Sequence, residues 1–393
     1  MRMPSFLTKD FILLSASSFF FFSSFNMLIP ELPGYLASMG GEKYIGLIIA
    51  LFTLTAGLSR PFSGKLADTI GRIPVMLIGV AVCLAMCTLY PLVTTVFAFL
   101  LLRFFHGFST GFTPTGTSAY IADIVPFNRR GEALGLHSLF ASLGMAAGPA
   151  LGGWIAAHFG LNTLFISAAA VSGLSAILLV RLTETLPNPQ KMKLSFLKLK
   201  KDEIIERRVL NPSLVLMLAV FSFGTVLTII PEFSAHLGMR NKGLFFAVFT
   251  LSSLAIRLLA GRVSDRYGRI PVLQVASATM VLAMFLVSIA TAVPQLLLGA
   301  VFFGFAVGMS SPTVAAWTID LSDENKRGRA LATMYIALEA GIGLGALISG
   351  WLYQGNPERF PLVFMVSGST ALLAFIYLFT IPKHQRLKTL LRR

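Results

Sequence analysis

The chain has 393 residues, of which 55% are hydrophobic and 12% charged, and its mean hydropathy is +0.77. Soluble domains carry about 25% charged residues, so this composition excludes an ordinary water-soluble domain and indicates a membrane protein. The net charge is +15. In a membrane protein such an excess reports which side of the bilayer the loops occupy, and it does not indicate nucleic-acid binding.

Apolar runs long enough to cross a bilayer recur along the chain. A transmembrane helix needs about 20 predominantly apolar residues. The runs predict about twelve spans, at 11–36, 44–66, 73–93, 96–121, 131–158, 161–183, 211–236, 243–263, 270–292, 294–318, 328–354 and 358–382. The first run lacks a small-residue cleavage site and is expected to be a retained helix. The expected fold is therefore an all-α membrane protein with about twelve transmembrane helices.

Most lysines and arginines fall in alternate loops, among them the long loop between Arg181 and Asn211. By the positive-inside rule, these loops and both termini are expected to be cytoplasmic in a plasma membrane. The long loop contains a Lys-rich amphipathic stretch, expected to lie on an anionic inner leaflet. The predicted organisation is a six-helix bundle at 1–184, a cytoplasmic linker at 185–210, and a second six-helix bundle with a short tail at 211–393.

The two cysteines, Cys83 and Cys87, lie one helical turn apart in an apolar run. No histidine or acid is spaced near them in the sequence as a metal ligand, so we expect both to be small core residues. The sequence predicts no metal site, no cofactor and no disulfide framework.

The second half of the chain repeats features of the first half. Segments 60–75 (RPFSGKLADTIGRIPV) and 257–272 (RLLAGRVSDRYGRIPV) share eight of sixteen residues at an offset of 197. Further pairs at or near this offset are Asp123 with Asp320, Gly148 with Gly345, and Glu31 with Glu232. Internal repeats of this kind indicate two pseudo-symmetric six-helix bundles.

Several of these motifs resemble those of the major facilitator superfamily. The pattern G-x-L-A-D-x-x-G-R from Gly64 to Arg72, repeated from Gly261 to Arg269, is similar to that family's signature loop. Arg103-x-x-His106-Gly107 resembles its second motif, with His106 where Gln is commoner. The resemblance extends over nearly the whole chain and implies the major facilitator fold and the twelve-helix drug:proton antiporter group.

The resemblance also implies a gating role for charges at the cytoplasmic ends of the spans. A carrier alternates between two states, which requires contacts that break and re-form. The expected cytoplasmic gate residues are Asp68, Arg72, Asp123, Arg130, Asp265, Arg269, Asp320 and Arg327. The alternative is that these side chains only cap helices and fix topology.

A glycine-rich string in span five resembles the motif of the family's antiporter branches. It consists of Gly144, Gly148, Pro149, Gly152 and Gly153. Small residues four positions apart allow helices to pack closely, and we expect this contact where the two halves meet. Pro149 removes a backbone hydrogen bond and can bend the helix. Ordinary helix packing is the alternative.

Ionisable side chains at membrane depth are costly and are therefore functional candidates. The candidates for proton coupling or for the substrate cavity are Glu31, Arg103, His106, Glu232 and Glu339. Glu339 lies in an apolar stretch of span eleven and is the first candidate for proton coupling. Glu31 and Glu232 are either cavity carboxylates that exchange a proton for a cationic substrate or hydrogen-bond acceptors in an outer gate. The middle of span one carries no acid, unlike several antiporters of this group.

One helical face of span four carries most of its polar side chains. Arg103 and His106 share this face with Thr110, Thr113 and Thr117. We expect this polar stripe to face a central cavity. The alternatives are that Arg103 is tied to backbone carbonyls and that His106 is a hydrogen-bonded packing residue.

The leading hypothesis is a secondary transporter that exports a small, amphipathic organic molecule in exchange for protons by alternating access. Its expected partners are the substrate, protons and membrane lipids, and no nucleic acid. A monomeric protein is compatible with the sequence. The rivals are an uptake carrier for a metabolite such as a sugar or organic acid, a lipid flippase, and a non-transporting receptor. An enzyme is not expected, because no nucleophile–base pair, metal cluster or phosphate-binding glycine loop is apparent.

Overall fold

A computed structural model describes residues 7–126, 130–193, 196, 205–322 and 327–381. Within these ranges the regular structure is helical, which follows from the length and apolar character of the runs. The helices of the first half are α1 (Lys9–Leu28), α2 (Leu32–Ala37), α3 (Ile45–Ala67), α4 (Arg72–Leu89), α5 (Val96–His106), α6 (Phe108–Ile124) and α7 (Arg130–Val180). Those of the second half are α8 (Leu210–His236), α9 (Leu244–Tyr267), α10 (Arg269–Ser288), α11 (Val293–Leu321), α12 (Arg327–Tyr353) and α13 (Phe360–Thr380).

The helices account for the predicted spans. Ten helices in the described part of the chain are long and apolar enough to cross a membrane. The longest, Ala133–Val180, has 48 residues and is broken at Gly160, whose φ of 82° is not helical. It therefore covers two predicted spans, and the separate helix α9 matches the predicted span 243–263. The all-helical membrane fold expected from the sequence is confirmed.

The first predicted span is interrupted, whereas its repeat is not. Helix α1 stops at Leu28, and a turn that includes Pro30 precedes the short helix α2. The matching Pro231 lies inside the continuous helix α8. Proline lacks the N–H that continues a helix. The repeated sequence Ile-Pro-Glu, at 29–31 and 230–232, therefore lies in a turn in the first half and in a helix in the second, and the predicted span 11–36 consists of α1, this turn and α2.

The described chain forms two compact units. The first consists of Met1–Leu32 and Leu54–Lys200, and the second of Pro33–Thr53 and Lys201–Arg393. Helix α3 is divided between them, so its first half belongs to the second unit. In this part of α3, a methyl group at Gly46 would lie 2.6 Å from the carbonyl oxygen of Ala346. The backbones of α3 and α12 are therefore in close contact.

The span-five glycines pack inside the first unit, against α1. A methyl group at Gly148 would lie 2.6 Å from the carbonyl oxygen of Ser23. Gly144 and Gly152 are equally close to the backbone of α1. In the second unit, Gly341 and Gly345 contact the backbone of α8 in the same way. Each set therefore lets two helices of the same unit approach closely. A contact of these glycines where the two halves meet stays a prediction.

Candidate functional site

The signature loop of the first unit closes around Arg72. Its guanidinium donates to Asp68 Oδ1 at 3.0 Å from Nη1 and to Asp123 Oδ2 at 2.9 Å from Nε. Nη1 also donates to the carbonyl oxygen of Ala67 at 2.5 Å. The side chain of Arg72 is 12% exposed, that of Asp123 30% and that of Asp68 74%. Asp123 is thus the better shielded of the two acidic partners.

The repeat builds the same arrangement in the second unit. Arg269 donates to Asp265 Oδ1 at 2.5 Å and to Asp320 Oδ2 at 3.0 Å. Its Nη1 also donates to Ser264 Oγ at 2.5 Å. The sequence duplication is therefore a duplication of geometry, in which one arginine joins an acid on its own loop to an acid at the end of another helix.

A carboxylate that the sequence pattern did not single out secures the first loop. Glu184 accepts hydrogen bonds from the backbone N–H groups of Arg72 and Ile73, both at 3.0 Å. Gly71, with φ of 121°, provides the turn before them, and a Cβ there would meet the Glu184 carboxylate at 2.5 Å. An acid at a helix N-terminus satisfies free donors and complements the helix dipole. Ile381 holds the equivalent place in the second half, so the residue that caps the first loop is not repeated there.

The two remaining gate candidates stand at the first residues of two helices. Arg130 begins helix α7 and Arg327 begins helix α12, but the side chains of both lie outside the described part of the structure. The hydrogen bonds of Arg72 to Asp123 and of Arg269 to Asp320 each join residues of a single unit. A role of these clusters in gating stays a prediction.

Arg103 and His106 meet on the hydroxyl group of Tyr90, deep inside the first unit. Arg103 Nη1 donates to Tyr90 Oη at 3.2 Å, and His106 Nδ1 lies 3.3 Å from the same oxygen. The ring of Phe165 stacks on Tyr90 with 5.1 Å between centroids. Arg103 is 1% exposed and His106 fully buried. The sequence placed the first two residues on one face, but it gave no sign of Tyr90, which lies on the preceding turn.

The other nitrogen of His106 faces the cysteines. His106 Nε2 lies 3.5 Å from Cys83 Sγ, and Ser24 Oγ lies 3.4 Å from that sulfur and 4.0 Å from Cys87 Sγ. Ser24 also donates to the carbonyl oxygen of Ala168 at 2.9 Å. Both cysteines are buried, as expected, and the fold brings to them a histidine that is distant in the sequence. The contact joins residues 23 positions apart, beyond any local spacing pattern.

Two of the three threonines of the predicted polar stripe contact α4. Thr113 donates to the carbonyl oxygen of Met76 at 3.2 Å, and Thr117 donates to the sulfur of the same methionine at 3.3 Å. Both threonines are buried. The expectation that this part of the stripe faces a central cavity is therefore wrong, because a neighbouring helix covers it.

The three candidate carboxyl groups lie in different settings. Glu31 is half-buried in the turn between α1 and α2, within the first unit. Glu232 is half-buried on α8, and Glu339, on α12, is 8% exposed. Both belong to the second unit. Glu339 is thus the most deeply buried of the three, as its apolar sequence context predicts.

Comparisons with known proteins agree with the fold. The family model described as Major Facilitator Superfamily matches residues 14–241 and 212–392. Multidrug resistance protein 2 of Bacillus subtilis is 25% identical over 368 residues, covering 90% of this chain and 91% of that protein. The multi-drug resistance efflux pump PmrA of Streptococcus pneumoniae is 29% identical over 316 residues, covering 75% and 76% of the two chains.

Solved transporters share the architecture at lower sequence identity. The peptide transporter POT in complex with sulfate superposes with a TM-score of 0.77 at 15% identity, covering 97% of this chain and 95% of that one. The human organic anion transporter MFSD10 (TETRAN) gives 0.73 at 20% identity, covering 96% and 100%. Together with the duplicated loop motif and the membrane-spanning helices, these matches show that the chain is a multi-pass membrane transporter, not an enzyme, and that it belongs to the major facilitator superfamily.

Proposed function

We propose that this transporter exports a small, amphipathic organic molecule across the plasma membrane in exchange for protons. The observation that carries the proposal is the similarity, along most of the chain, to proteins named for multidrug resistance and efflux. The glycine string in α7, which resembles the antiporter motif, supports the same direction of transport.

Glu339 is the proposed proton carrier. A charged carboxylate in an apolar setting costs far more free energy than a protonated one. In this proposal, proton transfer occurs at Glu339 in the carrier state that opens its side chain to water. Binding and release of the proton are thereby coupled to the conformational change that moves the substrate.

The other candidates have supporting roles in this proposal. Glu31 and Glu232 act as cavity carboxylates for a cationic substrate or as parts of an outer gate. The Arg72 and Arg269 clusters hold the cytoplasmic ends of their helices, and in this way they bias the equilibrium between the two carrier states. The distribution of basic residues supports a cytoplasmic position for both termini and for the linker at 185–210.

The proposal is tested by transport in proteoliposomes with an imposed pH gradient and a panel of amphipathic dyes and drugs. We expect the gradient to drive substrate movement opposite to proton movement. Glu339→Gln, which is permanently neutral, should lose at least about tenfold of the gradient-driven rate while still binding substrate, as expected when a proton-transfer group is removed. Glu358→Gln is the matched control, because Glu358 is exposed in an inter-helix turn.

The same assay separates the rival functions. Proton and substrate movement in the same direction would identify an uptake carrier and contradict the export proposal. Movement of labelled lipids between leaflets, without transport of any soluble substrate, would identify a flippase. A normal gradient-driven rate in Glu339→Gln would remove that residue from the coupling mechanism.

A further inference from the structure

The first unit contains a compact group of soft donor atoms that the transport proposal does not use. Cys83 Sγ, Cys87 Sγ and one ring nitrogen of His106 all lie within 4.8 Å of one another, and all three residues are buried. Cys83 and Cys87 are four residues apart on α4, which places them on one helical face. His106 reaches them from the last position of α5.

The spacing of these atoms is close to that of ligands around a single ion. Metal–sulfur bonds of about 2.3 Å and metal–nitrogen bonds of about 2.0 Å place a sulfur and a nitrogen ligand about 3.7 Å apart at a three-coordinate centre with angles of about 120°. The observed distance from Cys83 Sγ to His106 Nε2 is 3.5 Å. The other ring nitrogen of His106 lies 3.3 Å from Tyr90 Oη, and metal-binding histidines usually have such a partner to fix the ring.

Donor type and ligand number select the kind of ion. Thiolate ligands favour soft ions such as Cu(I). Structural zinc takes four protein ligands, whereas three of the described side chains offer a metal ligand here.

The geometry points to a binding site for a soft monovalent cation, Cu(I) or its analogue Ag(I), formed by Cys83, Cys87 and His106. Binding forms two metal–sulfur bonds and one metal–nitrogen bond. Each thiol releases one proton to water, and the ion does not change its oxidation state. The bound ion connects α4 to α5 within the first unit. Neither the family match nor the proposed substrate requires this site.

The test is a titration of the purified full-length protein in detergent with Cu(I), kept reduced by ascorbate, against the chelator bicinchoninate. We expect one ion per chain, held in competition with the chelator, and an ultraviolet thiolate-to-copper absorption band. The chain contains only two cysteines, so such a band can arise only from Cys83 and Cys87. X-ray absorption on the same sample should show both sulfur and nitrogen neighbours.

Variants assign the ligands. Cys83→Ser, Cys87→Ser and His106→Gln should each weaken binding by at least about tenfold, since even outer-shell changes cost this much. His137→Gln is the matched control, because His137 is also a buried membrane histidine of the first unit but contacts Ser15. It should bind Cu(I) as the unchanged protein does. If a cysteine variant fails to fold, the stoichiometry and X-ray spectrum of the unchanged protein still decide the question.

Three results would overturn the inference. One is the absence of chelator-resistant Cu(I) and of the absorption band in the folded protein. Another is Cu(I) binding that persists in Cys83→Ser, which would assign it to methionines elsewhere. The third is tight Zn(II) binding that requires both cysteines, while Cu(I) and Ag(I) fail to compete, which would contradict the assignment to a soft monovalent ion.

Discussion

The contact between α7 and α1 predicts opposite effects for the same substitution at two glycines of α7, one on each side of the break at Gly160. In Gly148→Ala, the new Cβ would lie 2.6 Å from the Ser23 carbonyl oxygen and 3.1 Å from Asn26 Cβ. The nearest of these atoms belongs to the backbone and cannot rotate away. The two helices must therefore separate locally. Gly173, also on α7, has open space within 4 Å of the place where a methyl group would stand, so Gly173→Ala meets no obstacle.

The magnitudes follow from two opposing terms. Overpacking of a tight contact lowers the free energy of unfolding by about 1–3 kcal/mol. Replacing a helical glycine by alanine raises it by about 0.5–1 kcal/mol, because alanine has the higher helix propensity. We therefore expect Gly148→Ala to lower the free energy of unfolding by up to about 2.5 kcal/mol. Gly173→Ala should raise the free energy of unfolding by about 0.5–1 kcal/mol, because alanine favours the helix and meets no overpacking at this position.

The assay is thermal unfolding of the purified variants in one detergent, followed by intrinsic fluorescence. One kcal/mol corresponds to about 2–4 °C for a unit of this size, so the two Tm values should move in opposite directions and differ by several degrees. A Tm for Gly148→Ala that rises as much as that of Gly173→Ala would refute the close approach of α7 to α1. It would also remove the structural explanation for the glycine string.

Two further predictions concern the signature loop of the first unit. Asp123→Asn should lower the free energy of unfolding by about 1.5–3 kcal/mol, as expected when a charge-assisted hydrogen bond is lost in a partly shielded place. Asp68→Asn should lower it by no more than about 1 kcal/mol, because the side chain of Asp68 is largely exposed. Equal losses of Tm in the two variants would contradict this ranking. Glu184→Ala should remove the acceptor for the N-terminal amides of α4 and cost about 0.5–2 kcal/mol. Hydrogen–deuterium exchange at Arg72 and Ile73 should then accelerate while the matching amides of the second repeat stay unchanged, and acceleration in both repeats would argue against a local cap.

The sequence determined the membrane location, the number of spans and the internal duplication. These properties depend on the length of apolar runs and on identities at a fixed offset, both of which are read along the chain. It also identified the arginine and the two acids of each loop, since Asp68, Arg72 and Asp123 recur together in the second half. The resemblance to the major facilitator superfamily rested on the same residues and is confirmed.

Only the tertiary structure decided which side chains meet. His106 reaches Cys83, Glu184 caps the loop after Gly71, and Thr113 faces α4. These contacts depend on how far each helix is rotated about its axis and how closely it approaches its neighbour. Sequence periodicity defines a polar face but not the helix that covers it, because interhelical packing is fixed by the fit of side chains and small residues from distant parts of the chain.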